Sequence, residues 1–282
     1  MTRKLFYIIL LAVIAVSCTE KVNLKLDSTY TRLVVDGNVQ SDTGIYAVAL
    51  TTSADYFSNA PLPRVHNATV TVTDGAKMFT LHESQPGVSG IYQTDPGFAG
   101  QVGKSYTLHI SLHDPIGGIS SAEATSEMPS VPHLDSVAAV FETPSNHPKG
   151  RWIIKLWAQD PGNEANFYLF NLYKNGRLMT DTINKKAISD DKFYNGSYMD
   201  GVPVMRLNNE NTWEALKPGD TITLQMSGIT KEYYNFIQEV DLSGLNIPFF
   251  TGPPANIKGN VSNGGIGFFA AWSNSFKSAI VQ

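Results

Sequence analysis

A shortage of cysteine and of charge sets the first limits on this chain of 282 residues. It contains one cysteine, so no disulfide can form within it, and burial together with hydrogen bonding must hold the fold. Charged residues make up only 16% of the sequence, and 21 basic residues stand against 25 acidic ones, for a formal net charge of −4. A balance this mild offers neither a nucleic-acid groove nor a polybasic membrane patch, so we expect no nucleic-acid partner.

The single cysteine ends an N-terminal segment that has the layout of a secretory signal. Basic residues precede an apolar run over 5–16, which is shorter than the roughly 20 apolar residues that a membrane-spanning helix needs. A small residue then precedes Cys18, as in a bacterial lipoprotein signal. We therefore predict a signal peptide over 1–17, lipidation of Cys18 by acyl chains such as palmitate, and a tether over 18–30. A soluble secreted protein with an incidental cysteine stays as the alternative.

Glycine, threonine, asparagine and aromatic residues are plentiful, and this composition suits strands and turns better than surface helices. In residues 68–81, valines alternate with threonines before Asp74-Gly75, which predicts a hairpin with a type I′ turn. Asn175-Gly176 predicts a second such hairpin. Short strands separated by glycine turns at roughly ten-residue spacing favour an all-β fold built from sandwiches.

A proline-rich connector over 126–136 interrupts the strand pattern, because a residue before proline is forced into an extended conformation. We predict an immunoglobulin-like β-sandwich domain over 31–130 and a larger β-sandwich-like domain over 131–282. The larger domain should carry one short α-helix near 230–241, since Thr230 can cap it and apolar side chains then recur at i, i+3, i+4 and i+7.

Several segments, taken in order, resemble a known family. They are "SCTEKVNLKLDSTYTRLVVDGNV" after the signal, "ATVTVTDG" and "SGIYQTDPGFAGQVGKSYTLHI" in the first domain, the connector "MPSVPHLDSV" and the ending "NIPFFTGPPANIKGNVSNGGIGFFAAWS". Together they resemble the Bacteroidetes outer-membrane lipoprotein family known as domain of unknown function 4249. The resemblance implies a lipid-anchored outer-membrane protein, on the cell surface or the periplasmic face, that is an accessory to a TonB-dependent receptor-like barrel. Because the family has no established chemistry, it supplies neither a catalytic residue nor a cofactor.

The residues themselves point to no reaction centre. His109 and His113 share one face of a predicted strand, but at about 3.3 Å per residue they lie about 13 Å apart, which is too far for both to hold one ion. The sequence has no G-x-S-x-G motif and no cysteine beyond Cys18 for catalysis. We predict no catalytic residue, no metal site and no cofactor, and an enzyme acting on envelope glycans is the least favoured alternative.

One acidic and aromatic stretch, residues 189–201, is the best candidate for a contact site. It gathers Asp190, Asp191 and Asp200 with aromatic residues, and its spacing departs from that of an EF-hand loop. A calcium loop of another type, a ligand-contacting loop and an ordinary packed loop stay open as alternatives. The side chains that we predict to contact a ligand or a partner are Tyr56, Phe57, Phe193, Tyr194, Tyr198, Phe249 and Phe250.

Two functions are compatible with these patterns. We expect a non-catalytic binding or accessory subunit, lipid-anchored in the outer membrane beside a TonB-dependent transporter. The alternative is a structural or assembly lipoprotein that stabilises a complex of the cell envelope and has no small-molecule ligand.

Overall fold

A computed structural model describes residues 31–53, 60–145, 149–162, 164–182, 185–244 and 257–282. The described chain consists mainly of strands with one α-helix, which confirms the predicted all-β, sandwich-like class. The predictions that concern the signal peptide over 1–17, the tether over 18–30, and the side chains of Cys18, Tyr56, Phe57, Phe249 and Phe250 lie outside these ranges.

The first part of the fold, called here the first body, is built from seven antiparallel strands around a buried apolar core. Alternation places every second side chain inside: Tyr106, Leu108, Ile110 and Leu112 are buried, whereas His109 lies on the solvent side, as predicted. The strands are β1 (Leu33–Gln40), β2 (Ala47–Thr52), β3 (Thr69–Thr73), β4 (Met78–Glu83), β5 (Ile91–Gln93), β6 (Ser105–Ile116) and β7 (Ile119–Glu127).

The second body follows the proline-rich connector and packs two sheets face to face around another apolar core. A sheet of three strands, in the order β13-β9-β8, covers the faces of β10 and β14. The strands are β8 (Leu134–Glu142), β9 (Arg151–Gln159), β10 (Phe167–Lys174), β11 (Arg177–Leu178), β12 (Ala187–Asp190), β13 (Tyr198–Asn208) and β14 (Thr221–Ile229). The centre of the three-stranded sheet is β9, which agrees with its largely apolar sequence.

The last strand, β15 (Ile266–Ile280), belongs to both bodies. Its first half pairs in parallel with β1, and its second half pairs in antiparallel with β14, so that one sheet of twelve strands runs through the molecule. Phe269 and Ala271 of this strand are buried in the core of the first body. Residues Thr31–Gln282 therefore form one compact unit, and the boundary between the two predicted domains stays a prediction.

The helix α1 (Lys231–Gly244) forms where the sequence predicts it. The Thr230 hydroxyl accepts a hydrogen bond from the Tyr233 N–H at 3.3 Å, which caps the first turn. The Tyr233 ring stacks on Trp272 of β15 at 5.7 Å with an interplanar angle of 9°, so the helix seals one face of the large sheet. Within the described ranges, no helix has the length and hydropathy of a bilayer-spanning segment.

The two predicted hairpin turns have different outcomes. Asn175 and Gly176 have φ of 50° and 78°, as a type I′ turn requires, and the prediction for β10–β11 is confirmed. The type I′ prediction for Asp74-Gly75 is wrong, because only the glycine has positive φ and the turn centres one residue later, on Gly75-Ala76. The reason is the Asp74 carboxylate, which accepts hydrogen bonds from the N–H groups of Ala76 at 2.9 Å and of the following residue at 2.7 Å.

Candidate binding groove

A groove runs along the open side of the second body, between the edge of β13 and the strands β11 and β12. Its central cavity has a volume of about 370 Å³ and is floored by Leu172, Met179, Met205 and Leu207. A cavity of about 290 Å³ continues it at one end and shares Met179 and Trp213 with it. A smaller cavity of about 120 Å³ continues it at the other end. We call this series of cavities the β13 groove.

The edge of β13 gives the groove a row of main-chain groups. Among the described strands, β13 pairs with β9 alone, and Asn208 turns its N–H away from β9 to donate to Glu214 Oε2 at 2.8 Å. Because the orientation alternates along a strand, the N–H and C=O of Arg206 point to the same side as those of Asn208. In the part of the chain that the structure describes, no hydrogen bond uses the main-chain groups of Arg206 outside the β9–β13 ladder. They are therefore available to a ligand.

An aromatic side chain lines the groove where its central cavity meets the cavity of about 290 Å³. Trp213 is 36% exposed in the turn after β13, and its main-chain N–H donates to the Asn211 side-chain oxygen at 3.1 Å. The Arg177 guanidinium lies 4.2 Å from the centre of the indole ring, a cation–π contact. Glu214 accepts from Asn211 Nδ2 at 2.7 Å, so that the turn holds Trp213 in a defined position. This end of the groove is preformed rather than loose.

The basic side chains of the groove line its central cavity and the cavity at the Trp213 end, whereas Asp190 and Asp191 line the smaller cavity at the other end. Several of the basic groups are already paired. Lys174 Nζ donates to the Ala215 carbonyl oxygen at 2.6 Å, and Lys185 Nζ lies 2.7 Å from Asp181 Oδ1. The guanidinium groups of Arg177 and Arg206 form neither a hydrogen bond nor an ion pair with any side chain of the described ranges. The hydrogen bond from Lys185 and, to a lesser extent, the charge of Arg177 lower the pKa of Asp181. Neither arginine forms an ion pair in the described chain, and the groove combines an apolar floor with these two cations near its rim.

The family model described as "Domain of unknown function (DUF4249)" matches residues 19–278. The chain belongs to this family. The match extends over all of the strands except the end of β15, so both bodies and the whole β13 groove belong to the DUF4249 domain. No curated protein matches the chain.

A buried acidic network fixes the other end of the groove in this DUF4249 domain. Burial raises the pKa of the Asp160 carboxyl, which accepts hydrogen bonds from the Tyr168 hydroxyl and the Gly196 N–H. Asp191 Oδ2 accepts from the Asn166 N–H at 2.9 Å. Both carboxylates thus hold the turn between β12 and β13 against β10, and this is a structural role.

The predicted aromatic contact residues that the structure describes are divided by that turn. Tyr194 packs against the core of the second body and lines the inner cavity of the groove. Phe193, at 82% exposure, projects into solvent, with the Lys192 ammonium 6.0 Å from the ring centre. Tyr198 lies half-exposed at the start of β13 and does not line the groove cavities. Of the three, the structure brings only Tyr194 to the groove.

The stretch 189–201 is not the loop that the sequence predicts. Residues 189–190 end β12 and residues 198–201 begin β13, so only the turn over 191–197 between them lies outside the strands. β13 is hard to recognise in the sequence because Gly201 and Pro203 interrupt the alternation of apolar and polar residues. Its pairing with β9 is irregular at two points there. Met205 of the groove was missed for the same reason, whereas Arg177, Met179 and Trp213 were missed because they come together only when distant segments pack. An isolated tryptophan in the polar segment "NNENTWEAL" is the one signal that marks it.

The calcium-loop alternative finds no support in the positions of the carboxylates. Asp200 Oδ1 accepts from Trp157 Nε1 at 2.7 Å on the outside of the three-stranded sheet, whereas Asp191 is buried on the other side of the turn. His109 lies 2.9 Å from Glu123. In the described part of the chain, no three or more His, Cys, Asp and Glu side chains are grouped so as to hold a metal ion.

A larger cavity of about 410 Å³ lies at the connector, near the start of α1. Its charged lining includes Glu127, Glu164, Lys231 and Glu232, and Asn166 Oδ1 nearby has no hydrogen-bond partner in the described ranges. Glu232 in the first turn of the helix stabilises the helix through its dipole. Because its described lining includes neither an open strand edge nor a tryptophan, the β13 groove is the stronger candidate for a binding site.

Proposed function

We propose that this protein is a lipid-anchored, non-catalytic binding or accessory subunit of the outer membrane that works beside a TonB-dependent transporter. The observation that carries the binding role is the β13 groove, which is apolar at its floor, bordered by main-chain and cationic groups and held in shape by its own hydrogen bonds. Anchoring through Cys18 is supported by the signal-like segment before it.

The chemistry of the groove supports binding rather than a reaction. Glu214, its carboxylate in the central cavity, is engaged by the Asn208 N–H and the Asn211 amide, and Lys185 is paired with Asp181. A general base has to be free to accept a proton from a bound substrate. Side chains that already anchor a turn or pair with a neighbour suit recognition better than proton transfer.

The test is recovery of the lipidated protein from outer membranes together with its partners. We expect mass spectrometry to find acyl chains on Cys18, and a receptor-like barrel to co-purify with the wild-type protein but not with Cys18→Ser, which stays unanchored. Trp213→Ala should reduce the amount of barrel recovered or the uptake that the barrel supports. An unmodified thiol on Cys18, on protein free in the culture fluid, would overturn the proposal.

A structural role without a ligand is the second candidate, and one observation favours it. Phe193 is the most exposed large apolar side chain of the described ranges, and it stands at the tip of a turn, away from the groove. An exposed aromatic ring at such a tip suits a protein contact. If Phe193→Ala loses the partner while Trp213→Ala keeps both partner and function, the structural role replaces the binding role.

A further inference from the structure

We propose that the β13 groove takes an extended peptide segment of a partner protein, which adds as a new strand to the free edge of β13. The inference rests on the proposed function in one respect, namely that the groove is a binding site. It goes further in naming the kind of ligand and the main-chain groups that recognise it.

The main chain of β13 supplies the first argument. Val204, Met205, Arg206 and Leu207 are consecutive, and all four line the central cavity. Neighbouring residues of a strand point to opposite faces, so one face of β13 could contribute only every second residue. Four in a row indicate that the cavity meets the strand at its edge, where the N–H and C=O of Arg206 point outward.

Such an edge is what an added strand needs. An extended peptide gains affinity from main-chain hydrogen bonds to a sheet edge and specificity from pockets for alternate side chains. The length of β13 that borders the central cavity, four residues, spans about 13 Å, and the neighbouring cavities extend the path in both directions. A segment of about six residues fits the groove.

The floor matches the side chains of an extended peptide. Met179 belongs to the segment after β11, whereas Met205 and Leu207 point inward from β13, so apolar groups from both sheets form the floor. Every second side chain of an added strand would face this floor, at a spacing of about 6.6 Å. The thioether groups of the two methionines can adapt to side chains of different shape.

Charge narrows the ligand further. Within the described ranges, Arg177 and Arg206 form no ion pair, although Arg177 adds to the effect of Lys185 in lowering the pKa of Asp181. Lys174 and Lys185, in contrast, are engaged with the Ala215 carbonyl and Asp181. A carboxylate on the peptide near the Trp213 end would meet Arg177, whose guanidinium already lies on the indole ring. We therefore expect an extended segment with alternating apolar residues and an acidic residue at that end.

The strand limits where addition can occur. Pro203 lacks an N–H, and pairing with β9 shifts register on both sides of Val202, between Asp200 and Val202 and again between Pro203 and Met205. Proline and irregular pairing are ordinary means of blocking an edge. They protect the first half of β13, and the Asn208 N–H at its end is taken by Glu214, so the open regular edge is Met205–Leu207 with the outward groups of Arg206.

The experiment compares two substitutions of the same residue in the full lipidated protein, purified in detergent. Arg206→Pro removes the outward N–H, whereas Arg206→Val keeps the N–H and removes only the side chain. An edge proline is tolerated where its nitrogen faces away from the ladder, as Pro203 in the same strand illustrates, so both variants should fold. Thermal melting of both variants serves as the check on folding.

The probe is the hexapeptide acetyl-Val-Thr-Val-Thr-Val-Asp-amide, with its backbone N-methylated form as the matched control that keeps every side chain. We expect calorimetry to show binding of the probe that is about tenfold weaker for Arg206→Pro and changed by less than about threefold for Arg206→Val. The N-methylated form should also bind about tenfold more weakly, and hydrogen exchange over 204–208 should slow when the probe is added.

Each contrary result counts against the inference. Absence of binding at millimolar probe, equal binding of the two peptide forms, or equal binding by the two variants would overturn strand addition. If the wild-type protein dimerises and Arg206→Pro abolishes the dimer, the occupant is a second copy of this chain and the partner-peptide proposal fails. Failure of the proposed function is separate, because acylation of Cys18 and recovery of the barrel are measured without the probe.

Discussion

The two bodies treat their exposed strand edges in opposite ways. In the first body, the segment before β15 covers the edge of β7: the Ser262 N–H donates to the Glu123 carbonyl at 2.8 Å, and the Glu123 N–H donates to Ser262 Oγ at 2.8 Å. Asn260 and Asn263 donate to the carbonyls of neighbouring β7 residues. In the second body, the corresponding groups of Arg206 on β13 have no such cover within the described chain.

This difference teaches that an open edge is not a general weakness of the fold. Asparagine and serine side chains form hydrogen bonds to the edge of β7 in the first body. Such cover matters because unpaired main-chain groups promote association with other chains. Where the edge borders an apolar groove, it is left open instead. The contrast is the strongest structural reason to regard β13 as a binding edge.

The largest effect that we expect concerns the strand that joins the bodies. Phe269→Ala empties a fully buried position in the core of the first body, although Phe269 comes from the last strand of the chain. The cost should be about 3–5 kcal/mol of unfolding free energy, measured by chemical denaturation. Hydrogen exchange should show that strands of the first body are affected.

The control for this prediction is Phe276→Ala in the same strand. Phe276 is 43% exposed and lies in the half that pairs with β14, so its removal should cost less than about 1 kcal/mol. Equal destabilisation by the two changes would mean that β15 does not link the cores as described.

A smaller effect should follow when the closed edge of the first body is opened. Asn260 donates to the Thr125 carbonyl at 3.1 Å and to the Phe269 carbonyl at 2.7 Å, and it accepts from the Phe269 N–H at 2.9 Å. Asn260→Ala should therefore cost about 1–3 kcal/mol. Gel filtration should also show concentration-dependent association, because the Thr125 carbonyl of β7 would then be free.

Asn263→Gly is the matched control for the edge. It removes one exposed hydrogen bond to the Ser121 carbonyl while keeping the positive φ of 56° accessible. We expect little change in stability and no association. If Asn260→Ala stays monomeric at all concentrations, the cover over β7 is not what prevents association at that edge.

Local features of this fold were predictable from sequence because their causes are local. The cap of α1 at Thr230 and the turn at Asn175-Gly176 each depend on side chains within a few residues. Even there, the Asp74 carboxylate moved a turn by one residue, since it could bind main-chain N–H groups that the dipeptide rule ignores.

The large sheet and the groove were not predictable from sequence, because both depend on contacts between distant segments of the chain. The parallel pairing of β1 with β15 joins opposite ends of the sequence, and no periodicity within either strand specifies it. A network of partly buried amides, in which Asn274 accepts from Gln225 at 2.8 Å and donates to Gln40 at 2.8 Å, links the same elements. Trp213 and Met179 acquire their common role only when the two sheets pack together.

The smallest expected effect distinguishes the two bodies by their response to acid. Burial alone would raise the pKa of Glu83 in the first body, but hydrogen bonds from His66 and from the N–H groups of Gly87 and Gly90 lower it to about 2. Because the folded pKa lies below the ordinary value of 4.5, this stabilisation is complete above pH 4.5 and is lost as the pH falls toward 2. Asp160 in the second body has a raised pKa, so its contribution has the opposite sign, favouring the fold at low pH and fading as the pH rises.

Glu83→Gln tests that assignment. The substitution should cost about 1 kcal/mol at neutral pH and should flatten the loss of stability between pH 4.5 and 2, measured by thermal melting across that range. Asp160→Asn keeps an acceptor for the Tyr168 hydroxyl and should leave the acid slope of the first body intact, because Asp160 belongs to the second. An unchanged acid slope in Glu83→Gln would show that the carboxylate is not what ties the turn after β4 to the first body, and that the acid sensitivity of this body has another source.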